Sequence, residues 1–170
     1  MATQTRPRLV TEREWTFTIL GLGLFFGVVV RILPAFLSDF PINDGGMFAV
    51  MMRDLKANNF FLPVYTAYNY SNIPFAYPPL GFYIGALLQG LGISEIQILI
   101  WLPIIFTSLT IPLFFLLSFE LMHSRPHAAL ATVFFALAPG NYAWLLMGGG
   151  LTRALGTCFL LLSLYFVHRS

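Results

Sequence analysis

Asp44 heads the segment Asp44-Gly45-Gly46-Met47-Phe48. A carboxylate there has two uses. As an N-cap it accepts backbone N–H bonds at the start of a helix, and Asp-Gly-Gly is ordinary turn chemistry besides. As a general base it takes a proton from an attacking hydroxyl. The two roles are compatible, and the sequence leaves both open. Arg153 follows Gly148-Gly149-Gly150-Leu151-Thr152. A guanidinium beside a glycine turn with outward N–H groups suits a phosphate. Equally, a long cationic side chain at the end of an apolar run snorkels to the interface. No His, Cys or Glu spacing resembles a zinc site, and the Gly21-x-Gly23 pair lies inside an apolar run rather than in a nucleotide loop.

Composition decides what kind of elements must carry these residues. Of 170 residues, 58% are apolar and only 9% charged, against about 25% charged in a typical soluble domain. Nine Lys+Arg and seven Asp+Glu cannot cover a soluble sphere of this size. Disordered and disulfide-rich classes are excluded as well, because charge and cysteine are both scarce. The chain reads as an integral membrane protein. A net charge of +2 gives no reason to expect nucleic acid as a partner. Cys158 lies in an apolar run and carries no redox signal.

Spanning helices need about 20 mostly apolar residues. Four runs approach this, at 15–37, 96–119, 128–147 and 154–170. The expected fold is therefore all-α, with about four transmembrane helices. A shorter run, 80–93, has four glycines and follows Pro78-Pro79. It reads as an interfacial or re-entrant helix. Arg6, Arg8 and Arg13 precede the first span, so the positive-inside rule puts the N-terminus in the cytoplasm of a multi-pass cell-membrane protein. The basic loop 123–127 and the tail at His168-Arg169 then also face inside, and 38–95 forms an outer loop. Five spans would put the basic loop outside. No small-x-small cleavage site follows the first run, so it reads as an uncleaved anchor. Arg31, near its outer end, is expected to snorkel to the surface. Pro103, Pro112 and Pro139 imply kinks, and Pro139-Gly140-Asn141 a local opening of the third span.

Within the outer loop, Phe48, Met51, Met52 and Leu55 recur at helical spacing while Arg53 points the other way. This predicts an amphipathic helix on the membrane surface, ending at Asn58-Asn59. Arg53 and Lys56 form its polar face, near lipid phosphates. Asp39 reads as a solvated loop charge. Tyr65, Tyr68, Tyr70 and Tyr77 suit an interfacial belt, and a sugar also stacks on such rings.

This order of features resembles the N-terminal part of membrane-embedded GT-C glycosyltransferases of the protein mannosyltransferase and aminoarabinose transferase type. The family's Asp-Glu-x-x-aromatic motif is matched by Asp44-Gly45-Gly46-Met47-Phe48, with Gly45 in place of the Glu. Its Pro-Pro-Leu-Gly-Tyr segment is matched by Pro78-Pro79-Leu80-Gly81-Phe82-Tyr83. Its Arg-Leu-Pro is matched by Leu102-Pro103, with Trp101 replacing the Arg. A charged pair that some relatives carry before the two prolines is replaced by Ala76 and Tyr77, so no metal or phosphate contact is implied there. The resemblance implies an inverting hexosyl or pentosyl transfer from a polyprenyl-phosphate donor on the outer face. Asp44 would be the catalytic base. Arg153, then Arg53 or Lys56, would meet the donor phosphate, with Tyr68, Tyr77 and Tyr83 as further substrate contacts. No metal ligand set is identified, and a cofactor is left unassigned. The partners implied are the lipid-linked donor and membrane lipid. Because such enzymes have many more spans, residues 1–170 are expected to form a single N-terminal membrane module of a longer protein, inactive alone. The alternatives are a non-catalytic membrane subunit, a flippase-like protein or an inactive transferase remnant.

Overall fold

The computed structural model describes residues 11–39, 41, 43, 45–148 and 150–170. Arg6, Arg8 and Asp44 lie outside the described residues. The described structure is nearly all-α, with one two-residue strand pair. Three helices are long and apolar enough to cross a membrane: α1 (Glu12–Leu37), α4 (Glu95–Met122) and α7 (Gly150–Arg169). Between the first two come α2 (Gly45–Ala57), a two-residue antiparallel pair β1 (Tyr65–Thr66) and β2 (Ile73–Pro74), and α3 (Leu80–Gly90). After α4 come α5 (Arg125–Leu137) and the short α6 (Ala143–Leu146), separated by a 3-10 turn at Pro139–Asn141.

Local chemistry sets several of the helix ends. Thr11 and Glu14 form a capping box: the Thr11 N–H donates to Glu14 Oε2 at 2.8 Å and the Glu14 N–H to Thr11 Oγ1 at 3.3 Å, satisfying donors that a first turn leaves open. The Ser94 hydroxyl accepts from the Gln97 N–H in the same way at 3.3 Å. His123 ends α4 in the left-handed region, at φ 53°, so a residue expected only as part of a basic loop is a C-cap. Pro103 and Pro112 lie within an unbroken α4.

The local opening expected at Pro139-Gly140-Asn141 in the run 128–147 is a complete break. The chain stops being helical at Leu137, and Ala138 is extended at ψ 115°. A residue before proline is pushed out of the α region by the ring's Cδ, so Pro139 ends the helix instead of only opening it. Thirteen residues give α5 about 20 Å, short of a hydrocarbon core of about 30 Å. The last helix also differs. It starts at Gly150, so Arg153 lies in its first turn and not in a preceding loop.

Packing fixes the relative directions. Gly23 of α1 faces Val133, Gly27 faces Ala136, and Arg31 reaches Tyr142, so α1 and α5 run the same way. The α4 helix runs against them, with Ile111 beside Gly27 and Leu99 and Ile104 beside Arg31 and Pro34. The α7 helix follows α4, from Gly150 beside Pro103 to Cys158, whose thiol donates to the Phe106 carbonyl. The C-terminus of α1 and the N-termini of α4 and α7 therefore share one end of the bundle, and α2, the β pair and α3 gather there. Eleven residues make α3 about 16 Å long, too short to cross.

Small residues on α1 let the backbones approach, the usual device where lipid removes the hydrophobic drive between helices. A Cβ built on Gly23 would lie 2.8 Å from Val133 Cγ2, and one on Gly27 would lie 2.9 Å from Ala136 Cβ. Gly21, on the far face, has nothing within 4 Å. Gly23→Ala and Gly27→Ala should each cost about 1–3 kcal/mol through overpacking. Gly21→Ala should be neutral or stabilising, since alanine favours a helix by about 1 kcal/mol over glycine. Equal melting temperatures in detergent for all three variants would refute the close α1–α5 contact.

Candidate functional site

The helix predicted around Phe48–Leu55 is present, and its apolar positions face protein. Phe48, Met51, Met52 and Leu55 are all fully buried, each burial worth about 1.5–3 kcal/mol relative to water. They meet Phe82 and Ala86 of α3, Ile98 and Leu99 of α4, and Leu151 of α7. The Phe48 and Phe82 rings stack at 5.3 Å, Phe75 meets Phe82 edge-on at 5.2 Å, and Tyr77 meets Phe48 edge-on at 4.9 Å. Gly85 leaves room for the Met52 sulfur, and Gly81 admits the Leu151 backbone.

This cluster assembles some of the predicted site residues around the start of α2. Tyr77 packs on Phe48. Tyr68 lies over the first turn, its Cε2 3.8 Å from the position of a Cβ on Gly46. Leu151 holds the first turn of α7 to α3, two residues from Arg153. The half-buried Arg153 guanidinium lies 4.5 Å from the centre of the Trp144 ring, a cation–π contact. Asp44, immediately before Gly45, is outside the described residues.

Arg53 and Lys56 sit elsewhere. Eight residues of helix separate Gly45 from Arg53, a rise of about 12 Å. Arg53 Nε pairs with Glu95 Oε1 at 3.0 Å, with the arginine side chain 60% exposed. Such a solvated pair contributes about 0–1 kcal/mol. Arg53 and Lys56 line an open groove with Gln89 and Glu95. The hydroxyl of Tyr83, expected as a substrate contact, donates to the Phe60 carbonyl at 3.0 Å, tying α3 to the segment after α2. On the same side, Asp54 Oδ2 accepts from the Thr66 hydroxyl at 2.7 Å and the Ala67 N–H at 2.8 Å, which fastens the β pair to α2.

Arg31 is the largest correction. Snorkelling was expected, yet the residue is fully buried. Helix side chains tilt toward the N-terminus, so this one runs back over Gly27, away from the nearer end of α1. Its Nη1 donates to the Gly27 and Ala136 carbonyls, both at 2.7 Å, and its guanidinium lies 4.6 Å from the centre of the Tyr142 ring. The Ala136 carbonyl is available because α5 ends one residue later and leaves its last carbonyls without helical partners. Asn141 Nδ2 donates to Phe135 O, the neighbouring orphan, at 3.1 Å. The negative end of the α5 dipole also favours a cation here. Two charge-assisted hydrogen bonds at roughly 1.5–3 kcal/mol each offset the roughly 2.5–3.5 kcal/mol that insertion scales assign to a mid-membrane arginine. The signal that could have revealed this is the spacing Gly23-x3-Gly27-x3-Arg31, which puts all three on one helix face. Among the described residues, no group of three or more His, Cys, Asp or Glu could hold a metal ion.

Tyr83→Phe removes one hydrogen bond and keeps the ring. It should cost about 0.5–1.5 kcal/mol of stability and leave substrate affinity unchanged. An unchanged melting temperature together with weakened substrate binding would assign the hydroxyl to the ligand and not to Phe60.

No protein-family model, curated protein or solved structure matches this chain, so the functional reading is carried by the site's own residues.

Proposed function

We propose that this chain is the N-terminal module of a GT-C-type membrane glycosyltransferase that moves a sugar from a polyprenyl-phosphate donor to an acceptor on the outer face of the membrane. One observation carries the reading. The segments bearing the resemblance, 44–48, 78–83 and 102–103, bring Phe48, Phe82 and Leu102 into one buried cluster, which Leu151 also joins. Asp44 directly precedes the helix that holds Phe48, and Arg153 follows Leu151 by two residues. The residues near these two in the chain, Gly45 at the start of α2 and Leu151 in the first turn of α7, both belong to helices packed on that cluster, and a transfer site requires its groups to be positioned together.

In this reaction the acceptor hydroxyl attacks the anomeric carbon and its proton passes to Asp44. The new C–O bond forms as the bond to the phosphate oxygen breaks. The polyprenyl phosphate leaves with the electron pair, and inversion follows from the single displacement. Negative charge grows on the leaving phosphate, where a fixed cation stabilises it. Arg153 is the first choice for that role. Arg53 and Lys56, about two and three turns farther along α2, stand behind it. Tyr68 and Tyr77 flank the start of α2, where sugar rings stack on aromatic faces. Four crossings complete the topology, with α5, the 3-10 turn and α6 together making the third. The N-terminus is then cytoplasmic, and α2 and α3 lie at the outer surface.

Two experiments test this. A single cysteine at Ser124, in a background with Cys158 replaced, should resist an impermeant thiol reagent in intact cells; ready labelling would reject the four-crossing topology. Asp44→Asn, made in the full-length protein, separates base from cap. Asn caps a helix about as well as Asp but takes no proton at neutral pH. Transfer from a lipid-phosphate donor should fall by roughly 10²–10⁴-fold, with the melting temperature nearly unchanged. Asp44→Ala should lose activity too and cost about 1 kcal/mol of stability. Wild-type transfer by the Asn variant would leave Asp44 as a cap alone.

A further inference from the structure

The tip of the β hairpin carries an acceptor motif that sugar transfer by this chain does not use. The strands pair in the register Tyr65 to Pro74 and Thr66 to Ile73, so residues 67–72 form the tip. It reads Ala67-Tyr68-Asn69-Tyr70-Ser71-Asn72. Asn69-Tyr70-Ser71 fits Asn-x-Ser/Thr with x other than proline, the acceptor pattern for an N-linked glycan and a mark of a surface loop. The pattern occurs once in the chain. Asn43, Asn58, Asn59, Asn72 and Asn141 have no hydroxyl residue two positions on.

An acceptor asparagine must present its amide nitrogen to another protein, so it has to be exposed and free of internal bonds. Asn69, Tyr70 and Ser71 are all exposed, Tyr70 at 96%. The Asn69 side chain makes no hydrogen bond among the described residues. By contrast, the amide nitrogens of Asn58 and Asn141 are spent on the Phe61 and Phe135 carbonyls, at 2.8 and 3.1 Å. The Ser71 hydroxyl donates to the Asn69 carbonyl at 3.0 Å, which keeps both functional groups of the motif on one turn. The backbone bonds that close this turn are long. Tyr70 N–H reaches Ala67 O at 3.3 Å and Ser71 N–H reaches Tyr68 O at 3.4 Å, beyond the ordinary N–H···O range of about 2.7–3.2 Å. Asn69 and Tyr70 also sit in the left-handed region, at φ 55° and 53°, which is unfavourable for a bulky side chain. The tip therefore opens at low cost. Beneath it Asp54 holds Thr66 and Ala67, so the strand pair stays in place.

We infer that Asn69 is a modification site that carries an N-linked oligosaccharide. The donor is an oligosaccharide on a polyprenyl diphosphate, and the catalyst is a separate membrane oligosaccharyltransferase on the same side as the hairpin. The Asn69 amide nitrogen attacks the anomeric carbon. The new C–N bond forms as the bond to the diphosphate oxygen breaks, the lipid diphosphate leaves with the electron pair, and the amide proton passes to a base on that transferase. The Ser71 hydroxyl is the group read together with the amide. An attached glycan is too polar to enter hydrocarbon, so it holds the hairpin in water and covers Tyr70. The inference rests on the outer placement of residues 38–95 in the proposed topology and on no step of the reaction assigned to Asp44.

The test is expression of the full chain in cultured cells that perform N-linked glycosylation, with gel mobility compared before and after peptide-N-glycosidase. The wild type should give a slower band that the glycosidase collapses. Asn69→Gln and Ser71→Ala should each abolish that band, and Ser71→Thr, which keeps a hydroxyl, should retain it. Ser71→Ala leaves Asn69 and its left-handed turn in place, so loss there is loss of recognition and not of the turn. Tyr70→Cys, combined with Asn69→Gln and Cys158→Ala, reports the side of the membrane independently, and an impermeant thiol reagent should label it in intact cells. No glycan on the wild type with Tyr70→Cys labelled overturns the inference and leaves the topology standing. No glycan and no labelling overturns both. A slower band that survives Asn69→Gln or Ser71→Ala also overturns the inference.

Discussion

A charge buried among apolar helices must be met by something, and the meeting of Arg31 with the end of α5 organises much of this bundle. Pro139 ends α5, which leaves the Phe135 and Ala136 carbonyls without helical donors. Asn141 takes one and Arg31 the other. That bond fixes α1 and α5 in register, and Gly23 and Gly27 allow the two backbones to come close enough for it to form. The α4 helix fills the remaining side through Ile111 and Ile104. A helix-breaking proline, two glycines and one arginine thus depend on each other. Removing any one leaves an orphaned carbonyl, a clash or an unpaired cation.

The second organising element is aromatic and lies at the end of the bundle where α1 finishes and α4 and α7 begin. Phe48, Phe75, Tyr77 and Phe82 meet at ring separations of 4.9 to 5.3 Å. Edge-on and stacked pairs of this kind add about 0.5–1.5 kcal/mol each beyond burial. They anchor α2 through Phe48, and Met51, Met52 and Leu55 of the same face are buried in the same cluster. The β pair is then tied to α2 by Asp54, and α3 to the following segment by Tyr83. This end is consequently held as one unit on the helices beneath it, although much of its chain is irregular.

Leu99 belongs to both regions. It packs in the aromatic cluster and lines a cavity beside Arg31. The buried cluster at α2 and the cavity near Arg31 therefore share this side chain.

The sequence by itself determined the features that depend on near neighbours. The apolar runs mark α1, α4 and α7, because a spanning helix needs nothing beyond length and hydropathy. The spacing of Phe48, Met51, Met52 and Leu55 marks α2, because burial repeats with the helical turn. Pro139 marks a break, although the apolar run through it concealed how complete that break is, and the caps at Thr11, Glu14 and Ser94 start α1 and α4 slightly before the apolar runs at 15 and 96. Tertiary structure alone decided what the long polar side chains do. Arg31 turns inward because a carbonyl 105 positions away in sequence is left open. Tyr83 ties α3 to the segment after α2 because the Phe60 carbonyl lies within reach of its hydroxyl. Arg53 is drawn to Glu95, far from the start of α2, and Arg153 settles on Trp144. A flexible side chain several bonds long can serve either a ligand or a distant backbone group. The choice rests on which partners the fold brings within hydrogen-bond distance, and that is a non-local quantity that spacing along the chain does not encode.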